Sequence, residues 1–174
     1  MLPLPKLCIS LHKIENMHYI LTLSYRGAGL SGWQVQNNAV TVQGELDRAL
    51  GILFRTPVQT TGAGRTDTGV NAVNYVCDFE TPEPLHLTKQ DFLYKINAIT
   101  RKEIVVHDIC AEGECGFMTS GEYPFNSRFS AKSRVYRYFL HSAKDPFAEG
   151  FSWRCPWPLD VDQMNRAATL LLGE

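Results

Sequence analysis

The sequence predicts an α+β chain built on an antiparallel sheet with helices over one face. Three observations carry this. Apolar and polar residues alternate in short runs, the two-residue period of a strand. Two intervening stretches repeat apolar residues at three- and four-residue steps, the period of a helix. The order along the chain is strand, helix, strand, strand, helix, strand, the split β-α-β unit of ferredoxin-like folds.

Each element has its own signal. Tyr19, Leu21, Leu23 and Tyr25 alternate with Ile20, Thr22 and Ser24, so the first strand runs here. Met17 begins that pattern, and residues 1–16 are expected to be a disordered leader. Residues 27–38 are rich in Gly, Ser and Asn and read as loop. Thr41 is placed to cap a helix whose apolar face is Val42, Leu46, Ala49, Leu50 and Leu53. A short strand follows Pro57 and ends near Thr61. Val73, Tyr75, Cys77 and Phe79 mark the next strand, stopped by Pro82 and Pro84. Thr88 and Asp91 resemble a capping box before a helix that buries Phe92, Ile96 and Ile99. Residues 104–109 form the fourth strand, closing a first half over 17–110. In that layout the second face of the sheet is open to a ligand.

Residues 111–127 read as a linker loop, and 128–174 as the start of a second, similar half. Residues 134–141 alternate as a strand with Arg134, Tyr136, Tyr138 and Leu140 on one face. Asp160 caps a helix with Met164, Ala167, Ala168, Leu171 and Leu172 on one side, and Gly173 is a helix stop. A lone strand and helix cannot bury both their apolar faces, so this half reads as incomplete.

Composition bounds the function loosely. A chain of 174 residues with 44% apolar residues can bury a core. A net charge of −1 excludes a uniformly basic nucleic-acid binder but not a local basic patch. No apolar run is long enough to span a bilayer, and residues 1–13 lack a signal-peptide core, so the expected location is cytoplasmic and away from membranes. The five cysteines (Cys8, Cys77, Cys110, Cys115, Cys155) form an odd, scattered set, read as reduced thiols. Cys110 and Cys115 have the right chemistry for a metal, but no second Cys or His pair lies near them, and no metal site is expected.

The chemistry concentrates in residues 62–72, G-A-G-R-T-D-T-G-V-N-A. Gly62, Gly64 and Gly69 permit a tight backbone path and close approach of a ligand. Arg65 and Asp67 put a base and an acid two residues apart. Taken alone, such a loop is ordinarily a polar turn with a surface ion pair, worth about 0–1 kcal/mol. Residues 123–144 supply Arg128, Lys132, Arg134, Arg137 and Lys144 with no Asp or Glu, interleaved with aromatics. That is a strip suited to an RNA backbone.

These stretches resemble, in order, three motifs of the tRNA pseudouridine synthase A family. Tyr25-Arg26-Gly27, Gly32-Trp33-Gln34-Val35-Gln36 and Thr41-Val42-Gln43 resemble its opening Y-D-G, G-W-Q-x-Q and T-V-Q. Residues 63–72 resemble its A-G-R-T-D-A-G-V-H-A, and residues 128–138 its R-F-S-A-K-x-R-x-Y-R-Y. The resemblance implies an isomerase that converts uridine to pseudouridine in the anticodon stem-loop of tRNA. The reaction breaks an N-glycosidic bond, turns the base over and forms a C–C bond. It involves no redox change, so no cofactor is implied.

By resemblance Asp67 is the catalytic residue. Near the sugar it could stabilise positive charge at the anomeric carbon, attack that carbon or remove a ribose proton, as carboxylates do in related reactions. Arg65 fills the space left by the flipped base and pairs with phosphate. Tyr136 lies against the flipped uracil, where stacking is worth roughly 1–3 kcal/mol. Arg128, Lys132 and Arg134 contact RNA. Tyr138 reads as a strand-core aromatic, Trp33 as packing, Gln34 and Gln36 as loop supports, and Asn97 as structural. Arg26, Thr68, Asn71 and Asn126-Ser127 depart from the family pattern, where Asp, Ala, His and H-A are usual. The family also continues into a second half and forms a homodimer. The chain is therefore expected to be the N-terminal portion of such an enzyme, with weak tRNA binding and slow turnover on its own. The competing expectation is a non-catalytic RNA-binding fragment of the same fold.

Overall fold

The computed structural model describes residues 16–116 and 125–172. Residues 1–15 of the expected 1–16 leader, residues 117–124 of the 111–127 linker and the Gly173 stop lie outside the described residues. The chain divides into two compact units, up to Lys132 and from Ser133 on.

The first unit is mixed α and β. Its elements are β1 (Met17–Tyr25), α1 (Val42–Phe54), β2 (Thr61–Gly62), β3 (Ala72–Thr81), α2 (Lys89–Ile99), β4 (Ile104–Ala111) and the short α3 (Ser127–Ser130). The four strands make one antiparallel sheet in the order β2-β3-β1-β4. Strand β1 is central. It pairs with β3 from Met17 opposite Thr81 to Tyr25 opposite Ala72, and with β4 from Tyr19 opposite Ala111 to Tyr25 opposite Ile104.

Alternation decides what each face of the sheet buries. Tyr19, Leu21, Leu23 and Tyr25 of β1 share a core with Cys77 and Phe79 of β3 and Ile104, Val106 and Ile109 of β4. Val42, Leu46, Ala49 and Leu50 of α1, and Phe92 and Ile96 of α2, close that core from above. Fully burying each such side chain is worth about 1.5–3 kcal/mol.

Both helices begin as their sequences predict. The Thr41 Oγ1 accepts from Gly44 N at 3.2 Å, and the Thr88 Oγ1 accepts from Asp91 N at 3.1 Å. Helix α1 ends at Arg55 in the left-handed region (φ 55°). Asn97 ties α2 to β4 through both backbone groups of Val106, at 2.9 and 2.8 Å. Trp33 is packing, as expected, only 3% exposed. Gln36 holds its loop through Ser31 O at 3.1 Å.

Residues 128–132, which the sequence division assigns to the second half, belong to the first unit because α3 packs against β2 and β3. The cysteine reading needs correction. Cys110 and Cys115, five positions apart, are joined in a disulfide with their Cα atoms 5.6 Å apart, while Cys77 and Cys155 are free and buried.

The second unit holds β5 (Leu140–His141) and β6 (Trp153–Arg154), paired in parallel, and α4 (Val161–Ala168), followed by a single 3-10 turn. Asp160 caps α4 through Gln163 N at 2.9 Å. The strand predicted over 134–141 is present only in its last two residues. Residues 131–139 belong to no strand, and a strand is held by its neighbour's hydrogen bonds rather than by its own alternation. Tyr138 is accordingly not a core residue: it is 87% exposed. No residue of α4 is buried.

Candidate active site

The loop from Ala63 to Asn71 joins β2 to β3, and three neighbouring segments tie it down. Ala63 N donates to Val76 O at 2.9 Å. The Tyr75 hydroxyl donates to Gly64 O and accepts from Gly64 N at 3.2 Å, closing the start of the loop onto β3. From the other side Trp33 N donates to Thr66 O at 3.1 Å and Gly69 N to Leu30 O at 3.4 Å. Gly32 makes the first of these crossings possible. Its φ is 77°, and a Cβ there would strike the Thr66 carbonyl. The Tyr25 hydroxyl bonds Thr66 Oγ1 at 2.8 Å. Asn71, where the family motif has His, accepts from Gly27 N at 2.8 Å and so still locks the two loops together.

An aromatic floor lies beneath. The Trp33 and Tyr75 ring centroids are 4.4 Å apart, and Tyr25 meets Tyr75 edge-on at 5.6 Å. Gly62 sits against this floor, where a Cβ would run into the Trp33 ring and the Tyr75 hydroxyl. Thr66 points into these contacts, while Arg65 and Asp67 on either side of it are exposed. The surface ion pair between Arg65 and Asp67 is absent: among the described residues nothing bonds either side chain. A carboxylate and a guanidinium thus stand on a rigid turn, free to meet a ligand. Two surface depressions, one beside Arg48 and Arg55 and one beside Tyr19 and Lys89, include no residue of this loop.

Arg128 and Lys132 belong to the same unit as Arg65 and Asp67. Arg128 lies on α3, which Asn126 caps by accepting from Arg128 N at 3.1 Å and Phe129 N at 3.3 Å. Its guanidinium carbon sits 5.5 Å from the centre of the Phe129 ring, a cation–π contact on the surface. Arg134 and Tyr136 belong to the second unit, in the extended stretch before β5. Both are exposed, Tyr136 at 57%.

Several residues that build the site were given no role by the sequence reading, though Tyr25 and Gln43 stand in its motifs. Gln43 accepts from Val35 N at 3.0 Å and donates to Thr60 O at 2.6 Å, joining the Trp33 loop to the approach of β2. Asp47 accepts from both Thr60 N and Thr60 Oγ1, at 2.9 and 2.7 Å. Burial pushes the Asp47 carboxyl up, against those two bonds. Tyr25 and Tyr75 read as strand positions, and only the polar hydroxyl at the end of each pleat hinted at a loop to hold. At the far end of the sheet His18 bridges Asp78 and Glu112, a cluster that carries no motif signal.

No family model matches the chain. Relatives among curated proteins are found over most of the chain. The chain is 36% identical over 156 residues to tRNA pseudouridine synthase A of Parabacteroides distasonis. It is 40% identical over 157 residues to that of Chlorobaculum tepidum and 36% identical over 156 to that of Fervidobacterium nodosum. The chain is similar to the N-terminal portion of these tRNA pseudouridine synthases A. Each match takes in 88% of this chain and 57%, 58% and 59% of the respective relative. The chain therefore spans a little over half the length of these relatives.

Proposed function

We propose that this chain supplies the catalytic half of a pseudouridine synthase that isomerises uridine in the anticodon stem-loop of tRNA, with Asp67 as the catalytic carboxylate. The observation that carries the reading is the exposed Asp67 on a turn whose backbone is bonded to β3 and to the Trp33 loop, and whose Thr66 hydroxyl is bonded to Tyr25. A backbone held this firmly presents the carboxylate from a fixed origin, which is what positioning contributes to rate. Arg65 on the same turn fits a role in the space vacated by a flipped base, pairing with phosphate. Arg128, Lys132 and Arg134 serve as phosphate contacts, and Tyr136 as the stacking surface for uracil. The sheet order β2-β3-β1-β4, with α1 and α2 over one face, supports the ferredoxin-like reading of this half.

The test follows the atom that must leave. Forming the new C–C bond at uracil C5 expels the hydrogen there, so tRNA carrying tritium at C5 releases it to water. The chain at high concentration is expected to release tritium slowly, and Asp67→Asn to reduce that release by at least about a hundredfold. Equal release from both proteins would overturn the assignment. A chain that retains tRNA on a filter yet releases nothing would instead indicate an RNA-binding half without the reaction.

A further inference from the structure

We propose that His18 is a positioning residue: held between Asp78 and Glu112, it fixes two carboxylates that anchor the Arg128 segment to the face of the sheet opposite the helices.

The residues follow from strand parity. His18 and Ile20 of β1 point away from α1 and α2, as do Asp78 and Glu80 of β3, which lie opposite Ile20 and His18. His18 Nε2 lies 3.0 Å from Asp78 Oδ2, and Nδ1 lies 2.7 Å from Glu112 Oε2. With both ring nitrogens facing carboxylate oxygens, each has an acceptor, which suits a doubly protonated imidazolium. The remaining oxygens face outward to one segment. Asp78 Oδ1 accepts from Ser127 N at 2.6 Å, and Glu112 Oε1 accepts from Phe125 N at 2.5 Å. Both donating residues are buried, and the Phe125 ring lies 6.4 Å from the His18 ring. Glu112 itself sits inside the short turn closed by the Cys110–Cys115 disulfide.

The chain of contacts therefore runs from one cation, through two anions, to the two backbone donors that start α3. Without the cation, two carboxylates would face each other across the gap and repel. Next along the chain comes Arg128, and α3 packs on β2, the strand that opens into the Asp67 loop. The consequence for RNA contact rests on the function proposed above; the anchoring itself does not.

The other charged groups around His18 leave this picture intact. On β3, Glu80 is directly opposite His18, and its carboxylate accepts from Asn16 Nδ2 at 3.1 Å. On β4, Cys110 is bonded to Cys115 and carries no titratable thiol. Within the 125–130 segment the one charged residue is Arg128. The hydrogen bond to Asp78 chiefly raises the His18 pKa, with Glu112 adding to it and burial opposing, from about 6.5 to about 9. The sign follows from that direction. The anchor is complete below about pH 6.5, weakens as pH rises, and is lost above about pH 9.

Hydrogen exchange on the whole chain tests this, with amide rates at each pH corrected for their intrinsic pH dependence. In the wild-type chain, protection of the Phe125 and Ser127 amides is expected to fall at least about tenfold as pH rises from 7 to 10, while amides of α1 and α2 keep theirs. His18→Gln should lose that protection already at pH 7, and His18→Arg should restore it and remove the pH dependence. Protection at 125–127 that is flat to pH 10 in the wild type would overturn the proposal, whether or not the Gln variant folds. So would a His18→Gln loss spread equally over α1 and α2, which marks a merely structural role. Filter binding of tRNA by Arg128→Ala separates the two claims. Unchanged binding there counts against the RNA role of the segment and leaves the exchange result standing.

Discussion

Asp67 and Tyr75 lie eight positions apart and do opposite work. The Asp67 side chain makes no hydrogen bond or ion pair among the described residues, so Asp67→Asn should leave stability nearly unchanged, within about 0.5 kcal/mol, while removing turnover. Tyr75 spends its hydroxyl on both backbone groups of Gly64. Tyr75→Phe leaves a partly buried N–H and C=O to fend for themselves, at a cost of about 1–3 kcal/mol. Urea unfolding of the two variants reads this contrast directly; equal midpoints would mean that the hydroxyl does not hold the loop. The same contrast explains what the sequence could tell. Asp67 and Arg65 stand out because unpaired charges among glycines have no packing role to hide in. The roles of Tyr75, Gln43 and His18 were missed because each looks like an ordinary strand or helix position until its partner in another segment is known. Tyr138 failed in reverse. Alternation placed it in a core, but no element among the described residues covers it.

At the scale of elements, periodic stretches were legible and stretches defined by a partner were not. β1, α1, β3, α2 and β4 each carry their own period and cap, and each formed close to its expected bounds. The stretch over 134–141 has the right alternation, but only Leu140 and His141 form strand, in register with Trp153 and Arg154. The crossing of the two loops at Gly32 and Gly62 is likewise invisible in local sequence. It yields a prediction in which two glycines differ for different reasons. Gly62→Ala puts a methyl against the Trp33 ring and the Tyr75 hydroxyl, and overpacking there should cost about 1–3 kcal/mol and disturb the Asp67 loop. Gly69 has open space around it but a φ of 82°, so Gly69→Ala should cost only about 1 kcal/mol, from backbone strain. Thermal melts rank the two, and the reverse ranking would show that the aromatic floor yields more readily than the turn.

At the scale of the whole molecule, burial is very unequal between the two units. The first closes a continuous core over one face of its sheet. The second buries one apolar side chain among its described residues, Cys155, and exposes Phe147, Trp153, Trp157, Leu170, Leu171 and Leu172. A surface this apolar has a free-energy gradient toward any matching surface, and the partner always present in solution is another copy of the chain. Self-association through residues 133–172 is therefore expected, rising with concentration and strengthened by salts that favour apolar burial. Light scattering across a dilution series should report it. Replacing Leu170 and Leu172 together by Glu should shift the series toward monomer without lowering the stability of the first unit, since neither side chain is buried. A wild-type chain that stays monomeric at the highest concentration reached would mean that these side chains cover one another more completely than their exposure indicates.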